Sequence, residues 1–544
     1  MEKMQYEDSR NFFIKSFAKD IKNGNACIFF GAGLSSQSGY PDWKDLLADL
    51  TREIGLDIEK EHDYIALAQY YANEKYRTTL SSKISTIFAP SSSKSMQEVH
   101  KLILGLPIKY YWTTNYDNLF EKACHHLAKK FKALCADEDL SLDTNGIDIL
   151  LHKIHGDYKA PHRTIITKED FEQYMDTHDM MLTRLKSLMS SKSFLFLGYS
   201  VNDPNINFVL SRIKKVFHRF PRNHYIIIKR PDKTILKDGK EIEKSAEELN
   251  YELNKQKIIE KDWETYGLHT IFVDDYTGIN SILKELRNAV YEKDIVISGS
   301  CLSTNENKEF IENFTQNLIK RLIKENYKIR TGNGEIIGDC ITNGLFSHAI
   351  DCIQGKDNPD FDYTFENYCV ATLFPKKSSA KLKNITKIEN QNVINKIIEK
   401  IRNNFIEKST VTIIICGENK NENNKKETNN HTTQGVLAEY DISVINENII
   451  IPIGCTGGVA QQQHEKILAL IKKMENEEKD KERLKKIEQY IKEFEKLGHQ
   501  NNTSSLENNI DSMIDATFNI LSQRKFYTEI NKKIIENHKT KNKK

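Results

Sequence analysis

The sequence predicts an α/β protein with two doubly wound parallel sheets, one in each half of the chain. First, short apolar runs alternate with amphipathic stretches, which favours parallel strands joined by helices. Second, several of these runs stop at a small-residue turn, as the run at 27–30 does at Gly31-Ala32-Gly33. Third, the same strand-and-turn pattern starts again near residue 293.

Length and composition limit the class of protein. The 544 residues suffice for two to four domains, and 39% hydrophobic with 29% charged residues is typical of a soluble globular protein. A net charge of +2 gives no electrostatic reason to expect a nucleic-acid partner. Without a signal-peptide core or a run of about 18 apolar residues, we expect a cytoplasmic protein that does not enter membranes.

The cysteines favour a reducing compartment and no metal. There are nine, and no two of them have the C-x-x-C spacing of a structural zinc site. Several lie in apolar runs, where a cysteine is usually a small buried hydrophobic residue.

In the first half, the expected elements are a helix within residues 1–25 and six strands. The charged stretch 230–262 is expected to be a solvent-facing helix. The strands are predicted at 27–30, 110–114, 149–154, 194–197, 224–229 and 270–273.

In the second half, strands are predicted at 294–300, 411–416 and 449–453, with another leading into the glycine-rich turn around Gly332 and Gly334. The chain after residue 460 reads as charged helices. We therefore predict domains at 1–288 and 292–526, followed by a disordered basic tail at 527–544.

Polar motifs follow three of the predicted strands in the first half. They are Asn115 with Asp117, His155-Gly156-Asp157 and the turn at Gly198. Since the carboxyl ends of parallel strands meet at one sheet edge, these residues are expected to share a ligand site with the glycine loop. Glycines there let a pyrophosphate approach the backbone, and free N–H groups at a helix start would meet its charge.

Each motif also has a purely structural interpretation. A G-A-G turn can serve packing alone, Asn115 or Asp117 can cap a helix, and His155 can be a core histidine. Their order and joint position at strand ends favour a functional site.

The motifs resemble those of the sirtuin family: G-A-G-x-S, T-x-N-x-D, H-G and G-x-S-x-x-D-P-N. The resemblance implies a Rossmann-like fold over about residues 10–285 and cleavage of the nicotinamide–ribose bond of NAD⁺. It implies that Asn115 positions the ribose or a water, that His155 accepts a proton, and that Asp117 supports them. The implied NAD⁺-binding residues are Gly31, Ala32, Gly33, Ser35, Gly198, Ser200 and Asn205.

Two departures from sirtuin deacylases bear on the reaction. The paired cysteines of their zinc module are absent, and Thr114 stands where a glutamine is usual. With no acyl-lysine acceptor, water is expected to attack and NAD⁺ to be the substrate of a hydrolase that needs no metal. Two alternatives remain: an NAD⁺-dependent deacylase and a non-catalytic nucleotide-binding scaffold.

The second half resembles the SLOG family of Rossmann-like nucleotide-sensing domains. The matching positions are Ser298, Gly299, Ser300, Gly332, Gly334 and Glu439. A ligand with two phosphates needs cations, for which Arg402 and Lys408 are candidates, and Glu439 could accept ribose hydroxyls. The alternative for Arg402 and Lys408 is a solvated helix face.

A sirtuin-like domain followed by a SLOG domain resembles the effectors of the Thoeris antiphage system. That resemblance implies that a cyclic ADP-ribose isomer, made by a TIR-domain partner, binds the SLOG domain and activates depletion of NAD⁺. It also implies a homotetramer or a larger assembly.

Overall fold

The computed structural model describes residues 2–61, 63–91, 93–199, 222–237, 240–265, 267–301, 305, 307–332, 334, 336–354, 369–371, 391–417, 431–477, 481–495 and 503–541. The chain divides into two compact units, Met1–Val290 and Tyr291–Lys544. Each unit is built around its own parallel sheet, which confirms the predicted fold class.

The sheet of the first unit has seven strands among the described residues, in the order β3-β4-β2-β1-β5-β6-β9, and all its pairs are parallel. An antiparallel hairpin, β7–β8, stands apart from it. The strands are β1 (Ala26–Phe30), β2 (Tyr110–Thr113), β3 (Phe131–Leu134), β4 (Ile149–Lys153), β5 (Ser193–Leu197), β6 (His224–Lys229), β7 (Thr234–Lys237), β8 (Lys240–Glu243) and β9 (Leu268–Val273).

The chain order explains where a ligand can bind in this sheet. From β1 the chain goes to β2 on one side, and it later returns to β5 on the other side. All five residues of β1 are buried, as expected for a central strand covered on both faces. The direction of winding therefore reverses at the carboxyl end of β1, where doubly wound sheets bind ligands.

Helices cover the sheet and form a second small core around Leu47, Tyr71 and Phe88. Local signals start several of them: the Asp42 carboxylate accepts a bond from Asp45 N at 2.9 Å, and Ser245 forms a capping box with Glu248. The helices are α1 (Glu2–Lys22), α2 (Gly33–Ser36), α3 (Trp43–Glu53), α4 (Tyr64–Lys75), α5 (Arg77–Phe88), α6 (Glu98–Gly105), α7 (Leu119–His126), α8 (Lys168–Glu172), α9 (Tyr174–Thr177), α10 (Asp179–Ser191), α11 (Ala246–Glu264) and α12 (Thr277–Val290).

The prediction of one charged helix over residues 230–262 is wrong for the first part of that stretch. The hairpin β7–β8 occupies its first part, with Ile235 opposite Ile242, and only α11 is helical. The β-branched Thr234, Ile235 and Ile242 favour strands over helix, and the charged residues around them hid this pattern.

The second unit has a five-stranded parallel sheet among its described residues, in the order β12-β11-β10-β13-β14. Here the winding reverses at the carboxyl end of β10, near Ser300. The strands are β10 (Asp294–Ser300), β11 (Lys328–Thr331), β12 (Cys369–Ala371), β13 (Val411–Cys416) and β14 (Ile449–Ile453). The helices are α13 (Lys308–Lys324), α14 (Ile337–Ile353), α15 (Gln391–Ile406), α16 (His431–Ile445), α17 (Gly458–Glu477), α18 (Lys481–Glu493), α19 (Thr503–Ser522) and α20 (Arg524–Lys541).

The disordered tail expected from residue 527 is instead part of helix α20. Tyr527, Ile530 and Ile534 are buried in the core of the second unit, and Tyr527 Oη donates to Ile450 O at 2.9 Å. Their spacing of three and four residues places them on one face of the helix. The many lysines and asparagines between them concealed this face in the sequence.

Candidate functional site

The first candidate site lies at the carboxyl edge of the first sheet, around the loop that follows β1. Gly31 N donates to Leu197 O, and Gly33 N donates to Gly198 O, both at 2.9 Å. Free N–H groups at the helix start were expected to meet a phosphate, but in this conformation the amide of Gly33, the first residue of that helix, is bound to the Gly198 carbonyl, and the amide of Gly31 is bound to the Leu197 carbonyl. The following helix, α2, has only four residues.

Packing explains why glycines occupy this loop. A Cβ at Gly31 would lie 2.5 Å from the Tyr199 ring, and one at Gly33 would lie 2.8 Å from Gly198 O. Gly198 itself has φ +72°, which favours glycine. Loop and turn can therefore approach each other only without side chains at these positions.

Gly33→Ala is accordingly expected to lower the free energy of unfolding by about 1–3 kcal/mol, because the backbone of Gly198 cannot yield easily. Denaturant unfolding, monitored by circular dichroism, measures this change in the free energy of unfolding. Gly105→Ala is the matched control: it ends α6 with no atom within 4 Å of the new Cβ, so stability should change by less than about 0.5 kcal/mol. Equal effects of the two substitutions would contradict this account of the loop.

A hydrogen-bond relay joins the loop after β1 to the loop after β2. Asn115 Nδ2 donates to Gly31 O at 3.1 Å and to Ser35 Oγ at 3.0 Å. Ser35 Oγ in turn donates to Asp117 Oδ2 at 2.7 Å. The other carboxylate oxygen of Asp117 accepts from Leu119 N at 2.9 Å, so Asp117 also caps α7. Three sequence-predicted residues, Ser35, Asn115 and Asp117, are thus brought together.

The relay leaves one polar atom of Asn115 without a partner among the described residues. Its amide nitrogen uses both hydrogens, whereas Oδ1 is buried and accepts no hydrogen bond. The residue as a whole is 7% exposed. Tyr40 Oη is in the same condition. Both residues line a small cavity of about 20 Å³, with room for about one water. The remaining lining residues are Ala32, Ser35, Pro41, Asp42, Trp43, Leu46, Phe88, Thr114, Tyr116 and Asp117.

His155 has a different environment from the one expected. Its ring contacts Phe171 and Tyr174 edge-on, with centroids 5.4 and 6.3 Å away, and it does not belong to the described lining of this cavity. Burial lowers its pKa to about 3. In this conformation the surroundings of His155 disfavour the proton acceptance that the sirtuin resemblance implies for it, since a desolvated imidazole resists protonation.

Sequence reasoning missed Lys153, the last residue of β4, which is fully buried beneath the site. Its Nζ donates to Asp157 Oδ2 at 2.5 Å and to Glu121 Oε1 at 3.1 Å. A lysine beside His152 in the largely apolar run 149–154 was the signal that could have found it, because charged residues are buried only when paired. The predicted positions Ser200 and Asn205 lie outside the described residues.

The second candidate site lies at the carboxyl edge of the second sheet. Ser298 Oγ donates to Glu439 Oε2 at 2.6 Å, and Arg402 Nε lies 3.6 Å from Glu439 Oε1. Burial raises the pKa of Glu439, opposed by these two partners. The carboxylate expected to accept ribose hydroxyls is therefore already engaged, which corrects the expectation of a free acceptor.

The neighbouring glycines of this site are also fixed by packing. A Cβ at Gly299 would lie 2.2 Å from Ile415 O, and one at Gly334 would lie 2.0 Å from Gly299 O. Ser300 O accepts from Gly417 N at 2.9 Å. Gly332 directly follows β11.

The two candidate cations of the second unit differ in position. Arg402 lies on α15, as predicted, whereas Lys408 lies beyond the end of that helix at Ile406. This corrects the expectation that both share one helix.

Two kinds of feature are absent from the part of the chain that the structure describes. No group of three or more histidine, cysteine, aspartate or glutamate side chains is arranged to hold a metal ion. No helix there combines the length and apolar character needed to span a bilayer.

Each half of the chain matches a known domain family. A SIR2-like domain family matches residues 109–258, and the Sir2- and TIR-associating SLOG family matches residues 278–517. The resemblance to sirtuins followed by SLOG is thereby confirmed.

Named relatives extend the match along most of the chain. The NAD(+) hydrolase ThsA of Bacillus cereus (strain MSX-D12) is 31% identical over 458 residues, 84% of this chain and 89% of the relative. ThsA of Enterococcus faecium is 33% identical over 475 residues, 84% and 90% respectively. The Defense-associated sirtuin 2 of Bacillus subtilis is 27% identical over 217 residues, 38% of this chain and 21% of that protein. This chain belongs to the ThsA family of NAD(+) hydrolases.

Proposed function

We propose that this protein hydrolyses NAD⁺ to ADP-ribose and nicotinamide as an effector of bacterial antiphage defence. Family membership supports the reaction class, since the relatives are named NAD(+) hydrolases. The observation that carries the assignment to a site is Asn115, whose buried Oδ1 accepts no hydrogen bond among the described residues.

Departure of nicotinamide creates positive, oxocarbenium-like character at the anomeric carbon of the ribose. Asn115 Oδ1 accepts a hydrogen bond from the attacking water or a ribose hydroxyl and so holds it in line with that carbon. Because Ser35 and Gly31 occupy the amide nitrogen, only the oxygen of Asn115 faces the ligand. Asp117 acts through Ser35 by fixing the direction of its hydroxyl.

Ala32, Ser35 and the glycines at 31, 33 and 198 form the wall against which NAD⁺ lies, with Ser200 and Asn205 assigned to its adenosine side. We assign proton acceptance to His155 in the substrate complex. This requires His155 to leave its contacts with Phe171 and Tyr174, because burial there disfavours the imidazolium.

We infer that the enzyme is gated. A cavity of about 20 Å³ cannot admit a nicotinamide riboside, so Tyr40, Pro41 or Trp43 at its wall must move before NAD⁺ binds. We propose a cyclic ADP-ribose isomer from a TIR-domain partner as the activating ligand, and the match to the Sir2- and TIR-associating SLOG family supports this. We further propose a cytoplasmic homotetramer or larger assembly.

We place the activator in the second unit, at Ser298, Gly299, Ser300, Gly332, Gly334, Arg402, Lys408 and Glu439. The pyrophosphate of the activator competes with Glu439 for the guanidinium of Arg402. Glu439, once released, accepts a ribose hydroxyl.

Arg402→Ala is expected to raise the activator concentration for half-maximal nicotinamide release by at least about tenfold, through loss of a charge-assisted contact. Activation curves with each cyclic ADP-ribose isomer measure this shift. Arg321→Ala is the matched control, because Arg321 is an exposed side chain of α13 that pairs with Glu325 and Asp515. An unchanged activation curve for Arg402→Ala would remove Arg402 from the proposed site.

The reaction itself is tested by product analysis in H₂¹⁸O, with a panel of cyclic ADP-ribose isomers present. We expect nicotinamide and ADP-ribose carrying one ¹⁸O atom. An acyl-lysine peptide in a parallel reaction distinguishes the deacylase alternative, which predicts turnover only with the peptide. Binding of NAD⁺ without turnover in any arm would favour the scaffold alternative.

A further inference from the structure

Beneath the proposed active site, Lys153 forms an ion cluster with two carboxylates. Its Nζ lies 2.5 Å from Asp157 Oδ2 and 3.1 Å from Glu121 Oε1, and only 1% of the side chain is exposed. Burial alone would lower the pKa of Lys153, but the two carboxylates outweigh it and raise the pKa. The ammonium group is therefore charged at any working pH.

The same ammonium also holds the backbone of the loop that carries Asn115. Lys153 Nζ donates to Asp117 O at 2.7 Å and to Tyr116 O at 3.3 Å. Tyr116 O additionally accepts from Tyr158 N at 3.1 Å. Lys153 thus joins the Asn115 loop to the loop of His155 and Asp157.

A short path connects Lys153 to the free oxygen of Asn115. Lys153 fixes the carbonyl of Asp117 at 2.7 Å, the Asp117 side chain accepts from Ser35 Oγ at 2.7 Å, and Ser35 Oγ accepts from Asn115 Nδ2 at 3.0 Å. Displacing the 116–117 and 117–118 peptides would move this relay, and misplacement of a catalytic group by about 1 Å can cost about 100-fold in rate.

We propose that Lys153 is a positioning residue for NAD⁺ hydrolysis, which holds the Asn115 loop through the carbonyls of Tyr116 and Asp117. This inference rests on the proposed function for its kinetic consequence. A lysine that served only to neutralise Glu121 and Asp157 would not need to contact either carbonyl.

The test compares Lys153→Met with Glu121→Gln in the full chain, assayed with NAD⁺ and the panel of cyclic ADP-ribose isomers. Glu121→Gln removes one ion pair and leaves both carbonyl contacts of Lys153. We expect Lys153→Met to lower kcat at least about 30-fold with KM within about threefold, and Glu121→Gln to leave both within about threefold. Equal kcat values for the two variants would overturn the proposal.

A double-mutant cycle with Ser35→Ala separates positioning from general destabilisation. If Lys153 acts through the relay, Ser35→Ala combined with Lys153→Met should be no slower than the slower single variant. Effects on kcat that multiply would show that Lys153 acts independently of Ser35, against the proposal.

A second set of variants separates a loss of folding from a loss of activity. If Lys153→Met does not fold, it is placed on a Glu121→Gln/Asp157→Asn background, which leaves neither of these carboxylates without its cation. The triple variant is then expected to be at least about 30-fold slower than the double, and equal rates overturn the proposal.

Amide hydrogen exchange across residues 113–121 provides a readout that needs no turnover. Faster exchange in Lys153→Met than in Glu121→Gln supports positioning of the loop even if the wild-type protein releases no nicotinamide, in which case only the proposed function fails. Unchanged exchange beside normal wild-type turnover makes the inference fail and leaves the proposed function intact.

Discussion

Asn115→Ala is expected to lower the rate of nicotinamide release by at least about 100-fold in the presence of activator. The substitution removes the one oxygen of the relay that is buried and free to accept a hydrogen bond from water or ribose. It also removes the bonds to Gly31 O and Ser35 Oγ, at a cost of about 1–2 kcal/mol in stability. Initial rates at saturating NAD⁺, together with thermal unfolding, measure both effects.

Asn118→Ala is the matched control for this prediction. Asn118 lies three residues further along the same loop, and its Nδ2 donates to Tyr158 Oη at 3.5 Å. Its buried Oδ1 also accepts no hydrogen bond among the described residues, but Asn118 does not line the cavity that Asn115 lines. It should retain a rate within about threefold of the wild type. A folded Asn115→Ala protein as active as Asn118→Ala would contradict the role of Asn115.

The second large effect is a loss of stability in acid. Burial lowers the pKa of His152, His155 and His224 to about 3 each. In the unfolded chain a histidine titrates near 6.5, so the unfolded state binds protons first as the pH falls. The contribution of each neutral histidine is present above about pH 6.5 and is lost progressively towards pH 3. Lowering the pH from 7.5 to 5 is therefore expected to reduce the free energy of unfolding by about 2 kcal/mol for each of these histidines.

Denaturant unfolding of the full chain at a series of pH values measures this slope. His224→Gln should reduce the slope of the free energy of unfolding below pH 6 by about 1.4 kcal/mol per pH unit, since the glutamine amide does not titrate. His126→Gln, the same substitution at an exposed histidine, is the matched control for the change of side chain. Equal slopes for the wild type and His224→Gln would show that His224 titrates normally in the folded protein.

The fold was predictable because β1 and β14 are apolar throughout and β13 is interrupted only by Thr412. All three end at glycine turns, a pattern typical of buried parallel strands. The hairpin β7–β8 and helix α20 were not predictable. Charged residues mask the two-residue spacing of apolar side chains in the hairpin and their three-to-four-residue spacing in the helix. Short strands such as β3 and β12 carry too few residues for any period to appear in the sequence.

The candidate site was predictable in its location but not in its detail. Strand order and motif order place Asn115, Asp117 and Ser35 at one edge, and side-chain contacts then join them. Sequence could not reveal that the amides of Gly31 and Gly33 are satisfied by the turn after β5, or that His155 packs against aromatic rings. Those facts depend on tertiary contacts between segments far apart in the chain.

The most direct test of the central claim is nicotinamide release by the purified wild-type chain from NAD⁺, with and without each cyclic ADP-ribose isomer. We predict little release without activator, because the cavity at Asn115 is too small for the substrate, and strong release with at least one isomer. Release that is equally fast without any isomer would contradict gating. Well-folded protein that releases none with any isomer would contradict the proposed activity.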